Sequence, residues 1–374
     1  MAVDARVEHV GSLLRPQVLR DAREAYARGE LTPGGLKAAE DRAVGEVVAM
    51  QEDVGLLVVN DGEMRRESFQ SELAASCDGF AGVDVSAWLW GQWHSQEVGD
   101  VAIARPQGLA VAAPVRRRRS LAAEEFTFLR GCTSGQAKVT LPSPSLFASL
   151  WSAQQSTGAY PDLDAFLADV VQVLCDEVQE LVRLGCTYIQ LDAPHCPLLI
   201  DPGWRAFYEE RGWPLERWLG YGIELDNAVI DAGRPATFGL HLCRGNQLSR
   251  WLVAGGYDAI AGPVFGGVHA GRLLLEYDDE RSGTVGPLRL VPGDKVVVLG
   301  LVTTKTSQIE TLEHIRARLE KARSRVDAER LALSPQCGFA TSVAGNTITP
   351  QAQRAKLALL VRAARDLLPA PPAA

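Results

Sequence analysis

His241 and Cys243 are the residues whose types and spacing first point to chemistry. They stand two positions apart in a stretch that reads as the end of a strand followed by a glycine-containing turn. On a strand, residues two apart point to the same face. An imidazole and a thiol therefore project side by side, and both can bind a metal ion such as zinc.

The pair alone is weak evidence, because a free cysteine is often buried and packs as a small apolar side chain. Two further residues that zinc accepts as ligands, Glu276 and Cys337, also follow segments that read as strands. If these strand ends meet, the four side chains can supply one nitrogen, one oxygen and two sulfur ligands.

Such a ligand set favours chemistry on a thiol. Two thiolates and a carboxylate outweigh the charge of zinc, so the metal would be a weak Lewis acid, suited to holding a substrate sulfur as thiolate. The carboxylate oxygen is the hardest ligand, so Glu276 is predicted to yield to the incoming sulfur. The predicted reaction is alkyl transfer to a small thiol.

The elements that must position these residues are alternating strands and helices. Eight segments that read as strands begin near residues 7, 56, 137, 187, 237, 272, 295 and 331. Helical patterns separate most of them, and a helix is also predicted between Asn246 and Tyr257. Eight parallel β/α units close into a (β/α)8 TIM barrel, an α/β fold whose catalytic groups lie at the carboxyl ends of the strands. A doubly wound open sheet is the alternative, but no glycine-rich phosphate motif follows an early strand.

We expect one catalytic barrel domain over residues 1–374. The rhythm of strands and helices breaks from about residue 84 to 125, which predicts a β-hairpin-like insertion after the second strand. Tryptophans in this insertion, Trp93 among them, either pack locally or form a wall of the pocket. The Pro/Ala-rich tail, residues 369–374, is expected to fray.

Composition excludes several classes of partner. The net charge of −8 argues against nucleic acid and against a membrane surface. No apolar run approaches the ~20 residues that span a bilayer, and the N-terminus shows no hydrophobic signal region. Seven cysteines, an odd number scattered over a long chain, fit a reducing cytoplasm better than a disulfide framework.

At this point several motifs resemble a known family, the cobalamin-independent methionine synthases, and specifically their C-terminal catalytic barrel. The closest likeness is to short, single-barrel homologues of the methyltetrahydropteroyltriglutamate–homocysteine methyltransferase type. The matching stretches span almost the whole chain in order: residues 10–16, 61–66, 189–192, 241–246, 275–281, 299–305 and 334–339.

The resemblance implies roles for individual residues. The zinc ligands would be His241, Cys243, Glu276 and Cys337. Ser12, Glu63 and Asp192 would bind the amino-acid thiol, with the two carboxylates on its ammonium group and Ser12 on its carboxylate. Glu63 and Asp192 have an alternative reading, in which they cap a helix or pair with Arg65 or Arg66.

One departure from the family concerns the general acid. The histidine that the family carries at the end of the seventh strand, thought to protonate the folate, is replaced here by the run Thr303-Thr304-Lys305. His195 is a candidate substitute, which with Glu63 and Asp192 completes the predicted catalytic set. The methyl donor, folate or another compound, is left open by the sequence.

Other functions compete with a homocysteine methyltransferase. Epoxyalkane–coenzyme M transferases resemble the same short family, and Arg65 or Arg66 would suit the sulfonate of that thiol. A methyltransferase of specialised metabolism with another donor or acceptor is a further alternative. A non-catalytic zinc-binding barrel would keep a closed metal shell. The oligomeric state, a homo-oligomer included, is left open.

Overall fold

The core of the molecule is a parallel sheet whose strands follow one another in chain order. A computed structural model describes residue 3 and residues 5–80, 89–104 and 110–369. The strands there are β1 (Val58–Val59), β2 (Cys77–Asp78), β3 (Gly91–Trp93), β4 (Val101–Ile103), β5 (Arg116–Arg117), β6 (Gln136–Pro142), β7 (Tyr188–Asp192), β8 (Thr237–Leu242), β9 (Arg272–Glu276), β10 (Val296–Val302) and β11 (Leu331–Pro335). Seven of them form the main sheet in the order β1-β6-β7-β8-β9-β10-β11.

The sheet strands are buried along their length. Every residue of β7, β9 and β11 is buried, which is the expected state of parallel strands covered on both faces and explains their continuous apolar runs. Their registers align the carboxyl ends, so that Asp192 lies opposite His241 and Glu276 lies opposite Gly300. Polar residues at these ends therefore share one mouth.

The N-terminal segment adds to the far edge of this sheet. Val7 forms a parallel bridge with Leu333 of β11, and the N–H of Leu13 donates to the carbonyl of Gly62 at 3.0 Å, just beyond β1. The segment thus contacts both the last strand and the loop after the first. This α/β arrangement is consistent with a TIM-like barrel, and its sequential strand order differs from that of a doubly wound sheet.

Helices connect the strands. Their bounds are α1 (Gln17–Ala27), α2 (Pro33–Asp53), α3 (Ser71–Ser76), α4 (Ala123–Cys132), α5 (Leu163–Arg183), α6 (His195–Leu198), α7 (Pro202–Glu209), α8 (Leu215–Arg217), α9 (Ile223–Ala232), α10 (Ala261–Gly267), α11 (Leu312–Arg323) and α12 (Pro350–Leu367). The long ones begin where the sequence offers a capping side chain: Thr32 accepts from Gly35, Asp162 from Ala165 and Thr349 from Ala352. Among the described residues, none of the helices is both long and apolar enough to cross a bilayer.

The predicted insertion is described only in part, since residues 81–88 and 105–109 lie outside the described residues. Between them, β3 and β4 pair antiparallel over three residues each. β2 pairs antiparallel with β5, and α4 begins at Ala123, within the range assigned to the insertion. The extent and shape of the insertion stay a prediction.

The segment after Asn246 corrects one prediction, because no helix forms between it and Tyr257. Gly245, Leu248 and Ser249 have φ values of 89°, 49° and 64°, which a right-handed helix does not accommodate. Instead Trp251 forms an antiparallel bridge with His94, next to β3. The connection is therefore a turn that joins the β3–β4 hairpin to the mouth of the sheet.

Candidate metal centre

Three predicted ligands come together at the mouth of the sheet. The ligand atoms of His241, Cys243 and Cys337 all lie within 4.8 Å of one another, and the three residues are buried. His241 stands in β8, Cys243 directly follows that strand, and Cys337 follows β11. The two-residue spacing on a strand and the convergence of strand ends account for this cluster.

Asp192 determines how His241 is presented. Its Oδ1 lies 2.8 Å from Nδ1 of His241, and the same oxygen accepts a hydrogen bond from Nε2 of Gln190 at 2.8 Å. Because Nδ1 donates to the carboxylate, Nε2 carries the lone pair, and this buried atom has no hydrogen-bond partner among the described residues. A histidine held by a carboxylate with its other nitrogen free is the usual arrangement of a metal ligand.

Electrostatics in the cluster favours a thiolate. The hydrogen bond with Cys337 lowers the pKa of Cys243 to about 7, against the opposing effect of burial. Burial lowers the pKa of His241, but the Cys243 and Asp192 charges outweigh it, so the net shift is upward. A thiol whose pKa is lowered gives up its proton more readily, and a metal ion bound to Cys243 would take the place of that proton.

Glu276, the fourth predicted ligand, is placed beside the cluster but is engaged elsewhere. Its Oε1 lies 2.6 Å from Nη1 of Arg281, and its Oε2 accepts from the backbone N–H of Arg244 at 2.7 Å. Burial raises its pKa, yet Arg281, Lys305 and Arg244 together lower it to about 2. Glu276 is therefore an ionised carboxylate next to the ligands, and its role as a ligand stays a prediction.

The residues present fit zinc. Two sulfurs and one imidazole nitrogen are ligands that zinc prefers in a tetrahedral shell, and catalytic sites combine three such protein ligands with an exchangeable fourth position. The observation that argues for a cation here is that Nε2 of His241 is buried and has no hydrogen-bond partner within the described part of the chain, since a buried polar atom normally has one.

A cleft of about 720 Å³, its open mouth included, leads to this cluster. Its lining includes the three ligands and the predicted substrate-binding residues Ser12, Glu63 and Asp192. Sequence reasoning thus predicted six residues that share one cleft. Gly338 makes room for one of them, because a Cβ there would lie 2.0 Å from the hydroxyl oxygen of Ser12.

Glu63 is held in an unusual position. Its φ is 58°, a left-handed conformation that is rare for a residue other than glycine and recurs at functional sites. The hydroxyl of Thr140 donates to its Oε1 at 3.0 Å, while its buried Oε2 has no hydrogen-bond partner among the described residues. Burial raises the pKa of this carboxyl. The free oxygen suits a hydrogen-bond donor on a ligand.

Several cleft residues were not named as site residues from the sequence. Apolar walls come from Phe69, Leu89 and Pro194, and Asn246 adds a polar group. Trp93 also lines the cleft, as one of its two readings predicted. The side-chain amide of Asn246 donates to the carbonyl of Gly338 at 2.7 Å. Its position three residues after Cys243 was the sequence signal that could have predicted its place in the cleft.

The remaining predicted residues do not line the cleft. Arg66 is buried and pairs with Glu125 at 2.7 Å. Arg65 pairs with Asp41 at 2.5 Å.

His195 is buried against Trp218, with ring centroids 5.1 Å apart, and burial lowers its pKa to about 3. An imidazole with so low a pKa is neutral at neutral pH, and its remaining N–H is a far weaker acid than the imidazolium that a general acid requires. The roles predicted for His195 as a general acid and for Arg65 and Arg66 in substrate binding stay predictions. The positions of these three residues do not support them.

Comparisons with known proteins agree on one family. A family model described as the catalytic domain of cobalamin-independent synthase matches residues 7–366. The uncharacterized protein YxjH of Bacillus subtilis is 32% identical over 373 residues, which cover 97% of this chain and 94% of YxjH. The methionine synthase of Pyrococcus abyssi is 26% identical over 331 residues, covering 88% and 85%. A crystal structure from Listeria monocytogenes, assigned as a vitamin-B12-independent methionine synthase, matches with a TM-score of 0.71, 26% identity and 99% coverage of both chains.

Proposed function

The chain belongs to the cobalamin-independent methionine synthase family, and on that basis we propose that it transfers a methyl group to the sulfur of homocysteine with zinc as its cofactor. The observation that carries the proposal is the shared cleft of the three candidate metal ligands with Ser12, Glu63 and Asp192. We also take the fold to be a complete (β/α)8 barrel and one catalytic domain that acts in the cytoplasm, with the segment at Val7 as its first strand.

His241, Cys243 and Cys337 would hold the zinc. When bound, the metal would supply a Lewis acid that lowers the pKa of the substrate thiol and keeps it as the nucleophilic thiolate. Glu276 is the fourth ligand in this proposal, and it would give way to the substrate sulfur.

The substrate is positioned by the residues at the floor of the cleft. The free Oε2 of Glu63 would accept from the ammonium group of homocysteine, together with Asp192, and Ser12 would donate to its carboxylate. A new carbon–sulfur bond forms as the methyl group leaves the donor, whose identity, folate or another compound, stays open.

The coenzyme M alternative finds less support. It relied on Arg65 or Arg66 as the partner of a sulfonate, and neither residue lines the cleft. Arg65 pairs with Asp41, and Arg66 pairs with Glu125 at 2.7 Å and lies 4.0 Å from Glu63 of the cleft. Freeing Arg66 would leave Glu125 as a buried carboxylate without its ion-pair partner, which is costly.

A product assay tests the proposal. The zinc-loaded protein is incubated with homocysteine and methyltetrahydropteroyltriglutamate, and in parallel with coenzyme M and an epoxyalkane, and the products are identified by mass spectrometry. We expect methionine in the first reaction. Thioether formed only in the second reaction would replace the proposal with the coenzyme M alternative.

A matched pair of variants tests the amino-acid site. Replacing Glu63 with Gln removes a charge-assisted hydrogen bond worth about 2 kcal/mol, so KM for homocysteine should rise roughly thirtyfold. Glu313→Gln is the control, since this side chain is 81% exposed on α11. Equal KM values for the two variants would remove Glu63 from the substrate site.

A further inference from the structure

The carboxylate of Glu276 has a cationic partner, Arg281, on the side chain's buried surface. Its carboxylate is fully buried and forms an ion pair with Arg281, with 2.6 Å between Oε1 and Nη1. The guanidinium of Arg281 also reaches Asp278 at 3.3 Å and Asp279 at 3.3 Å. Arg281 is therefore a cation shared by two buried carboxylates, those of Glu276 and Asp278, and by the half-exposed carboxylate of Asp279.

The same carboxylate lies next to the metal ligands. Leu275, its neighbour in β9, is in register with Leu242 of β8, between His241 and Cys243. The Oε2 of Glu276 accepts from the N–H of Arg244, the residue that directly follows Cys243, at 2.7 Å. One side of the carboxylate thus adjoins the ligand loop, while the other side adjoins Arg281.

Arg281 is itself held in place. Its guanidinium centre lies 5.5 Å from the ring centroid of Trp251, and its carbonyl accepts from the N–H of Gly255 at 2.9 Å. Trp251 is fixed by its backbone bridge to His94, with N···O distances of 2.8 and 3.0 Å. A guanidinium packed on these sides is a preorganised site for a carboxylate.

We propose that Arg281 is a positioning residue that competes with the metal for Glu276 and receives its carboxylate when a thiol enters the site. The inference rests on the proposed function, because it assumes that Glu276 can be a ligand. Charge balances in the exchange: the thiol loses its proton to solvent and binds as thiolate, and Glu276 leaves as an anion that Arg281 neutralises. Arg281 lowers the cost of releasing a charged side chain into a buried environment.

Zinc affinity measured with a competing chelator tests the proposal without any activity assay. Arg281→Gln removes the competitor, so Glu276 should bind the metal more strongly and the Kd for zinc should fall about tenfold, the scale of effects from residues that orient ligands. In a Glu276→Gln background the same replacement should leave the Kd unchanged, because the carboxylate that Arg281 acts on is absent. This double-mutant cycle isolates the coupling between the two residues.

The same Arg281→Gln replacement should weaken thiol binding, although it strengthens zinc binding. Calorimetric titration with homocysteine should show weaker binding to the zinc-loaded Arg281→Gln variant, by about tenfold, because the displaced carboxylate has lost its partner. Arg250→Gln is the control, since Arg250 donates to the hairpin carbonyls of Gly99 and Val98 and makes no contact with Glu276. The control variant should match the parent in both affinities.

The outcomes are distinct. The role of Arg281 is overturned if Arg281→Gln leaves zinc affinity unchanged or weakens it. It is also overturned if Arg281→Gln increases zinc affinity in the Glu276→Gln background. If Arg281→Gln does not fold, Arg281→Lys serves in the same cycle, with a smaller shift in the same direction, because an ammonium holds a carboxylate less firmly than a guanidinium fork. Failure of the parent protein to bind any thiol would count against the proposed function. The zinc affinities of the double-mutant cycle would still decide whether Arg281 competes for Glu276.

Discussion

At the scale of single residues, Asp192 links the candidate metal ligand His241 to the interior of the sheet. It stands opposite His241 in register, accepts from its Nδ1 and is held in turn by Gln190. Lys138 donates to the Oε1 of Gln190 at 2.9 Å. A chain of hydrogen bonds therefore fixes the orientation of the imidazole before any metal binds, which reduces the ordering cost of metal binding.

Replacing Asp192 with Asn should weaken zinc binding by about tenfold to a hundredfold, because the amide no longer fixes the Nδ1–H tautomer of His241. Chelator competition measures the change. Glu63→Gln alters another carboxylate of the same cleft without touching His241, and its zinc affinity should stay at the parental value. Unaltered zinc binding by the Asp192 variant would show that this carboxylate does not orient a ligand.

Replacing Cys337 with Ser should lower zinc affinity by at least about a hundredfold, since a thiolate ligand is lost from the shell. Cys186→Ser is a suitable control, because Cys186 is also buried but its thiol contacts the carbonyl of Tyr188, a contact that serine can keep. Zinc content after dialysis gives the readout. Full occupancy in a variant that lacks both Cys243 and Cys337 would contradict the site.

The residue scale also shows what the sequence could and could not predict. The spacing of His241 and Cys243 on a strand and the position of Cys337 after the last strand sufficed to predict their convergence, because strand ends meet in a parallel sheet. The pairing of Glu276 with Arg281 could not be predicted, since it depends on the path of the loop between them. The ion pairs of Arg65 and Arg66 depend in the same way on helices distant in the chain.

At the scale of elements, the alternation of strands and helices in the sequence predicted the parallel strands of the sheet. It did not predict the turn after Asn246. A helix was predicted there, but the backbone has positive φ at Leu248 and Ser249, and the bridge between Trp251 and His94 determines its path. Contacts between segments that are distant in sequence override local preference, and only the structure reveals them.

A buried ion cluster lies near the start of the sheet strands, around Glu8 of the N-terminal segment. Glu8 accepts from Lys138 at 2.9 Å, from Arg272 at 2.8 Å and from the hydroxyl of Tyr188 at 2.8 Å. Burial raises the pKa of Glu8, but Lys138 and Arg272 together lower it to about 2. This cluster joins the N-terminal segment to three strands at the end of the sheet opposite the candidate metal ligands.

Replacing Glu8 with Gln should lower the free energy of unfolding by about 3–5 kcal/mol, because two cations remain buried without their carboxylate. Urea denaturation measures the change, and the exposed Glu313→Gln variant should stay within about 0.5 kcal/mol of the parent. A loss below about 1 kcal/mol would mean that solvent reaches the cluster.

The same cluster predicts a pH dependence. The pKa of Glu8 is lower in the folded protein, at about 2, than its ordinary value of 4.5, so its stabilisation is complete above pH 4.5 and is lost as pH falls towards 2. The parent should therefore lose more stability than Glu8→Gln across this window, by about 3 kcal/mol. Parallel stability curves for the two proteins over that range would contradict the prediction.

At the scale of the whole molecule, we expect the fold not to depend on the proposed metal. The apolar core is continuous across the sheet and its surrounding helices, and a chain of this size buries enough surface to fold without a metal. Removal of zinc by a chelator should abolish methyl transfer and leave the far-ultraviolet circular dichroism spectrum nearly unchanged. Global unfolding on chelation would identify the metal as structural.

The measurement that tests the central claim most directly is zinc-edge X-ray absorption during a titration with homocysteine, with proton release recorded in the same samples. We predict that one oxygen neighbour of zinc is replaced by sulfur, and that a proton is released from the thiol, whose free pKa is about 8.5, with both signals saturating together. A zinc shell that no small thiol alters would contradict thiol activation by this site.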